Sequence, residues 1–227
     1  MNPTWLTAFL DMTAEELEPA TDFWREVTGY DLSARRGERE EFATLVPPAG
    51  DAFLRVQRLA DGPSGVHLDL HAPGQEFEVR TSPGGLPFCL VPGAESVRPA
   101  PATWAGPNRS LVDQVCLDIP PAIYDDECEF WASLTGWELF QAGRPEFRRL
   151  RTPTGQPLNV LLQRLDDGDG PVRAHLDLAT DDRAVETRRH EGLGATVVAV
   201  HGGWTVMRPP AGPVYCITGR VPAADLP

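Results

Sequence analysis

The chain has 227 residues, of which 41% are hydrophobic and 23% are charged, and its formal net charge is −13. This composition indicates a globular protein with room for two modest domains, and it excludes a disordered chain. The negative charge and the absence of a long basic run argue against nucleic-acid binding, and no early apolar run has the length of a signal sequence or a membrane span.

Four short blocks recur in the same order in the two halves of the chain. FWREVTGYDL (from Phe23) returns as FWASLTGWEL (Phe130), VQRLADG (Val56) as LQRLDDG (Leu162), HLDL (His67) as HLDL (His175), and PGGLPFC (Pro83) as PAGPVYC (Pro210). The spacing is nearly constant for three blocks and lengthens before the fourth. The repeat predicts a duplicated domain of ordinary size.

The first copy begins with an apolar run, LTAFLDM, that favours a strand, and a helical pattern over TAEELEPATDFWREVTGY follows. Its apolar residues recur at three- and four-residue spacing, as one buried stripe requires: Leu17, Ala20, Phe23, Trp24 and Val27. Gly29 is the predicted stop. Extended segments with turn signals come next, then a strand at HLDL and a last strand at FCLV.

A Pro- and Ala-rich segment, residues 93–110, is the predicted linker between domains at 1–92 and 111–222. The second copy repeats the order of elements. After its HLDL block, Asp181 or Asp182 can cap a helix near Asp182–Glu191 that ends at Gly192 or Gly194. The first copy has only HAPGQEFEV in this gap, so the first domain is predicted to lack one helix.

The strand–helix–three-strand order, the FW…TG helix end and the Pro-x-Gly hairpin before the last strand resemble the vicinal oxygen chelate superfamily. That superfamily includes glyoxalase I, extradiol dioxygenases and the bleomycin- and fosfomycin-resistance proteins, and the chain is most similar to the duplicated glyoxalase-like domains common in actinobacteria. The resemblance implies an α+β fold of tandem βαβββ units, with mixed sheets curled into cups that hold a metal or a ligand.

The resemblance also implies positions for metal ligands on the strands of each cup. These positions are Thr7, Arg55, His67 and Cys89 in the first copy, and Gln114, Leu161, His175 and Cys216 in the second. A guanidinium has no lone pair to donate, so no metal is expected beside Arg55. The second copy retains three donors that can hold zinc, Gln114, His175 and Cys216, although a cysteine such as Cys216 on a terminal strand is more often a small buried apolar side chain. The expectation is a protein without a metal or another cofactor.

Polar residues on alternate strand positions are the candidates for ligand binding. His67 and Asp69, and likewise His175 and Asp177, share one face of their strands. The candidate ligand-binding residues are Gln114, Gln163, His175, Asp177, Trp204 and Cys216 in the second cup, and Gln57 and His67 in the first. The alternative is that each His pairs with its Asp to satisfy buried polar groups, and that Trp204 is a core residue.

Two functions from different classes follow from the resemblance. The first is a small-molecule-binding protein of the bleomycin-resistance type, without a metal, that holds an aromatic or planar compound. The second is a lyase, isomerase or epimerase that uses His175 as the acid–base group with Gln114 and Cys216, with or without a divalent metal.

The remaining expectations concern location and partners. Four cysteines without CxxC spacing favour reduced thiols and the cytoplasm. The ligand is expected in the intact second copy. The sheet uncovered by the missing helix is expected to be covered by the other domain, or by a second copy of the chain in a homodimer.

Overall fold

The computed structural model describes residues 1–93 and 97–222, which form two sheets, one from each copy of the repeat. The first domain contains β1 (Trp5–Met12), α1 (Leu17–Thr28), β2 (Asp31–Leu32), β3 (Phe42–Val46), β4 (Leu54–Arg58), β5 (Gly65–Ala72), β6 (Glu78–Thr81) and β7 (Pro87–Pro92). A short strand, β8 (Ala102–Thr103), follows within the predicted linker. Residues 94–96 of that linker lie outside the described residues.

The second domain repeats the same order with three further elements, a 3-10 turn, a third helix and an edge strand. It contains β9 (Arg109–Ile119), a 3-10 turn (Pro121–Ile123), α2 (Tyr124–Thr135), β10 (Leu139–Gln141), β11 (Phe147–Leu150), β12 (Asn159–Arg164), β13 (Arg173–Thr180), α3 (Arg183–Gly192), β14 (Thr196–Val200), β15 (Trp204–Arg208) and β16 (Tyr215–Thr218). None of these helices, nor α1, combines the length and apolar composition that crossing a bilayer requires.

Both sheets are mixed and have the same topology. The first has the order β2-β3-β4-β1-β5-β7-β6, and the second β10-β11-β12-β9-β13-β16-β15-β14, with β8 paired to the start of β9. The central strand pairs in parallel on one side (β1 with β4, β9 with β12) and antiparallel on the other (β1 with β5, β9 with β13). The predicted α+β fold of tandem βαβββ units is confirmed.

The repeated FW…TG motif is a helix C-cap. The Thr28 hydroxyl donates to the Trp24 carbonyl one turn back at 2.7 Å, and Thr135 donates to Trp131 at the same distance. The next residue, Gly29, has a φ of 71°, a left-handed conformation that glycine adopts without steric cost. The prediction that α1 ends at Gly29 is confirmed.

The predicted loss of a helix from the first domain is confirmed, but the loss is larger than predicted. α3 begins after Asp182, whose carboxylate accepts from the Val185 N–H at 3.0 Å, as an N-cap does. Only a turn follows β5 in the first domain. The missing segment corresponds to α3 together with the edge strand β14. The first sheet therefore has seven strands and the second has nine, since β8 also pairs with the second sheet.

The second domain covers the sheet that the missing helix leaves bare. Trp131 of α2 packs against Phe88 of β7, with ring centroids 5.1 Å apart. The buried Glu127 carboxylate accepts from the Gly84 N–H and from Trp131 Nε1, both at 2.8 Å. In return, Trp24 of α1 packs 5.3 Å from Tyr215 of β16. The two domains therefore share one hydrophobic core.

Candidate functional site

The concave face of the second sheet, which we call the second cup, encloses a cavity of about 470 Å³. This volume lies within the range of small-molecule pockets. Strand alternation places side chains from β9, β12, β13 and β16 on this face. Every residue predicted for this cup lines the cavity: Gln114, Gln163, His175, Asp177, Trp204 and Cys216.

His175 is the centre of the polar floor. Its Nδ1 lies 3.0 Å from Asp118 Oδ2, and its Nε2 lies 3.3 Å from Asp177 Oδ1. The Cys216 Sγ atom is 3.5 Å from the same Nε2. The ring is therefore held from both sides, with carboxylates at both nitrogens and a thiol beside one of them.

Two carboxylates beside a buried imidazole decide its charge. Burial opposes the charged form, but the interactions with Cys116, Asp118 and Asp177 together raise the pKa of His175 well above its ordinary value. Burial raises the pKa of the Cys216 thiol, against the opposing effect of His175. At neutral pH the pair is therefore an imidazolium beside a neutral thiol.

Two arginines border this floor. Arg149 donates to the Gln114 side-chain oxygen at 2.8 Å, and the Gln114 amide nitrogen donates to Asp177. Arg220 pairs with the buried Asp113 and lies 3.8 Å from Asp177. The Nε atoms of both guanidiniums are buried without a hydrogen-bond partner. Both residues line the cavity.

Aromatic side chains form the wall opposite the floor. Trp204 stacks on His201 at 4.6 Å and meets Phe147 edge-on at 5.8 Å, and the Arg144 guanidinium lies 5.0 Å from the Trp204 ring. Phe140 lines the same cavity. Trp204 is only half-buried, so it is a wall of the cavity and not the core residue of the alternative reading.

The concave face of the first sheet, the first cup, encloses a second cavity of about 570 Å³. Gln57 and His67 line this cavity and not the one around His175. His67 repeats the arrangement of His175, with Nδ1 2.6 Å from Asp11 and Nε2 3.6 Å from Asp69. Burial opposes the charge, but Asp11, Asp69 and Cys89 raise the pKa of His67 to about 11.

Several site residues were not predicted from the sequence. Asp11 and Asp118 had a signal, because FLDM and CLDI align in the two copies. Phe42 and Phe147 also had a signal, because they occupy equivalent positions in the two copies. Phe42 pairs with Gln57 in the first sheet, and Phe147 pairs with Gln163 in the second. Arg149 and Arg220 belong to none of the sequence blocks that the two copies share.

The residues fit a divalent metal poorly in either cup. In the first, Arg55 stands at a ligand position and the Thr7 hydroxyl is bonded to His71 at 3.0 Å. In the second, Leu161 has no donor atom and both ends of the Gln114 amide are engaged.

Three donor sets nevertheless remain, each with its ligand atoms within 4.8 Å of one another. The first cup has His67, Asp69 and Cys89, and the second has two sets that share His175, one with Cys116 and Asp118 and one with Asp177 and Cys216. All three are opposed by their surroundings, because carboxylates beside both histidines favour the imidazolium form, which has no lone pair to donate, and because Arg220 lies beside Asp177.

Solved structures share the fold over almost the whole chain. The Mn(II)-bound glyoxalase from Novosphingobium aromaticivorans is 14% identical, with a TM-score of 0.67 over 96% of this chain and 82% of that one. A mutant of 4-hydroxymandelate synthase from Streptomyces coelicolor is 15% identical, with a TM-score of 0.62 over 98% of this chain and 95% of that one. An extradiol ring-cleaving dioxygenase from B. fuscum is 12% identical, with a TM-score of 0.63 over 97% and 72%. At these identities the likeness concerns the fold alone.

Among curated proteins no significant match is found. The model of the glyoxalase-like domain family matches residues 7–83 and 114–218, which covers most of both copies of the repeat. Together with the shared topology of the two sheets, this match shows that the chain belongs to the glyoxalase-like domain family of the vicinal oxygen chelate superfamily and carries the domain in duplicate.

Proposed function

We propose that the protein binds an aromatic or planar small molecule in the second cup without a metal ion. The observation that carries the proposal is the pairing of an aromatic wall with a polar floor in one open cavity. Trp204, Phe140 and Phe147 offer ring faces and edges, while Arg149 and Arg220 each keep one buried Nε–H without a partner. A flat ligand with a hydrogen-bond acceptor on its edge satisfies both surfaces.

The absence of a metal requirement rests on charge. The cup already contains the cations Arg149, Arg220 and the imidazolium of His175, and these balance the carboxylates of Asp113, Asp118 and Asp177. A divalent ion would have to displace the His175 proton and leave the guanidiniums facing it.

A direct test combines elemental analysis with ligand screening. Protein purified without chelator is analysed for Zn, Mn, Fe and Ni, and then screened by native mass spectrometry against a panel of planar aromatic compounds with and without EDTA. We expect no stoichiometric metal and binding that EDTA leaves unchanged. A stoichiometric metal whose removal abolishes binding would refute the proposal.

A second function is favoured by one specific contact. Cys216, His175 and Asp118 form a continuous line of polar atoms, with distances of 3.5 and 3.0 Å, and an imidazolium in a cavity can deliver a proton to a bound ligand. This arrangement supports a lyase, isomerase or epimerase, with Gln114 as a further hydrogen-bonding group.

The two functions differ in what happens to the ligand. The bound compound is incubated with the protein in D₂O, recovered and examined by mass spectrometry. Return of the compound without deuterium at carbon supports binding alone. Deuterium that enters at carbon with the wild type but not with His175→Gln supports the enzyme.

Among the described residues the four cysteines are free thiols, which supports the proposed cytoplasmic location. The free cysteines are Cys89, Cys116, Cys128 and Cys216.

A further inference from the structure

The first cup contains an arginine without a counter-ion. Arg55 of β4 lines the cavity, and its Nε atom is buried with no hydrogen-bond partner. Within residues 1–93 and 97–222, no carboxylate oxygen lies within ion-pair distance of its nitrogens, and its interaction with Asp69 is a longer-range one. Burial lowers the pKa of Arg55, which reflects the cost of holding this charge. An anion in the cavity would relieve that cost.

The Arg55 guanidinium packs against the ring of Phe9. The guanidinium carbon of Arg55 lies 5.5 Å from the Phe9 ring centroid, and His67 stacks on the same ring at 4.6 Å. Phe9 thus lies against both the guanidinium and the imidazolium of His67. With Arg36, three cationic groups border this cavity, and among the described residues only His67 of the three has a paired carboxylate.

The mouth of the first cup is apolar and open to water. Phe77 and Val79 line the cavity, although 67% and 66% of their respective surfaces are exposed. Phe42 lines it as well and meets Phe9 edge-on at 6.2 Å. Large apolar side chains at the rim of a cavity are typical of ligand sites, because a bound apolar ring removes them from water.

The second cup differs from the first at the strand pair that carries Arg55. Arg55 pairs with Phe9 across β4 and β1, and the equivalent pair across β12 and β9 is Leu161 and Cys116. The copies have therefore diverged at the strand pair that would meet an anionic group.

We propose that the first cup is a separate binding site for a planar aromatic carboxylate. The carboxylate pairs with the Arg55 guanidinium, and the ring lies between Phe42 and Phe77. This site is independent of the function proposed for the second cup, because no residue that lines one cavity lines the other.

The experiment uses the full chain and two matched probes, 2-naphthoate and its neutral analogue 2-naphthamide. Calorimetric titrations compare the wild type with Arg55→Leu, Phe77→Ser and Arg80→Leu. Leucine is the residue that the second copy has at the Arg55 position. Arg80 is the matched control, because this exposed arginine on β6 pairs with Glu78 outside the cavity.

We expect Arg55→Leu to weaken 2-naphthoate binding at one site at least about tenfold, the loss of one charge-assisted hydrogen bond. Phe77→Ser should weaken it as well, whereas Arg80→Leu should not. Binding of 2-naphthamide should be the same in the wild type and Arg55→Leu.

Circular dichroism establishes that each variant is folded. If Arg55→Leu does not fold, Phe77→Ser remains decisive, because Phe77 is largely exposed. Unchanged affinity and stoichiometry for 2-naphthoate in the folded variants overturns the proposal, as does an equal loss for both probes. Both of these results concern the first cup alone. The function proposed for the second cup is tested separately with His175→Ala.

Discussion

His175 Nδ1 lies 3.0 Å from Asp118 Oδ2, and the equivalent atoms of His67 and Asp11 lie 2.6 Å apart. The two copies therefore retain the same buried His–Asp pair between neighbouring strands, β13 with β9 and β5 with β1. A buried pair of opposite charges stabilises the protonated ring, and this has consequences for stability and binding.

The first prediction concerns the pH dependence of stability. The pKa of His67 is about 11 in the folded protein, compared with its ordinary value of 6.5. A pKa raised on folding contributes stability that is complete below pH 6.5 and is lost as the pH rises towards 11. The free energy of unfolding should therefore fall between neutral pH and pH 9, by up to about 1.4 kcal/mol per pH unit for this histidine. Urea denaturation across this range measures the slope.

Asp11→Asn provides the comparison, because it removes the carboxylate and keeps the shape. The slope should be shallower in this variant, and the His67 ring should titrate at lower pH in NMR spectra. An identical slope in the two proteins would contradict the assignment of the charge to this pair.

The second prediction concerns the cover of the first sheet by α2. Trp131→Ala should destabilise the whole protein by about 3–5 kcal/mol. The substitution removes the ring that packs against Phe88 and leaves a cavity, and it also removes one hydrogen-bond donor to the Glu127 carboxylate. Glu129→Ala, at an exposed position of the same helix, should have little effect. Denaturant unfolding measures both, and equal stabilities would show that α2 does not support the first domain.

The third prediction concerns the aromatic wall of the second cup. Trp204→Ala should weaken the binding of a planar ligand about tenfold, because the largest ring surface in the cavity is lost. The matched control is Phe77→Ala, at the equivalent position beside the first cup, which should leave that affinity unchanged. Calorimetry with the tightest planar compound of the screen distinguishes the two. A larger loss in Phe77→Ala would place this ligand in the other cavity.

The helices and the duplication could be predicted because their signals are local. The Thr–Gly end of α1 and α2, and the Asp182 cap of α3, depend on residues within one helical turn. The shared face of His175 and Asp177 follows from strand alternation alone.

Contacts between distant segments could not be predicted in the same way. Nothing local in the sequence links Trp131 with Phe88, or Trp24 with Tyr215, because these contacts depend on how the two domains pack. The position of Arg220 beside Asp113 could not be predicted either, since the two residues are far apart in the sequence although both belong to the second domain. The loss of an edge strand together with the helix was not predicted. The shorter gap in the first copy shows how many residues are missing, but not which secondary structure they formed.

The second cup is proposed to hold the planar ligand without a metal. The most direct measurement is a calorimetric titration, in EDTA, of the tightest planar compound into the wild type, His175→Ala and His67→Ala, each verified as folded. We expect His175→Ala to weaken this binding at least about tenfold and His67→Ala to leave it unchanged. An equal loss in both variants, or a loss in His67→Ala alone, would contradict this proposal.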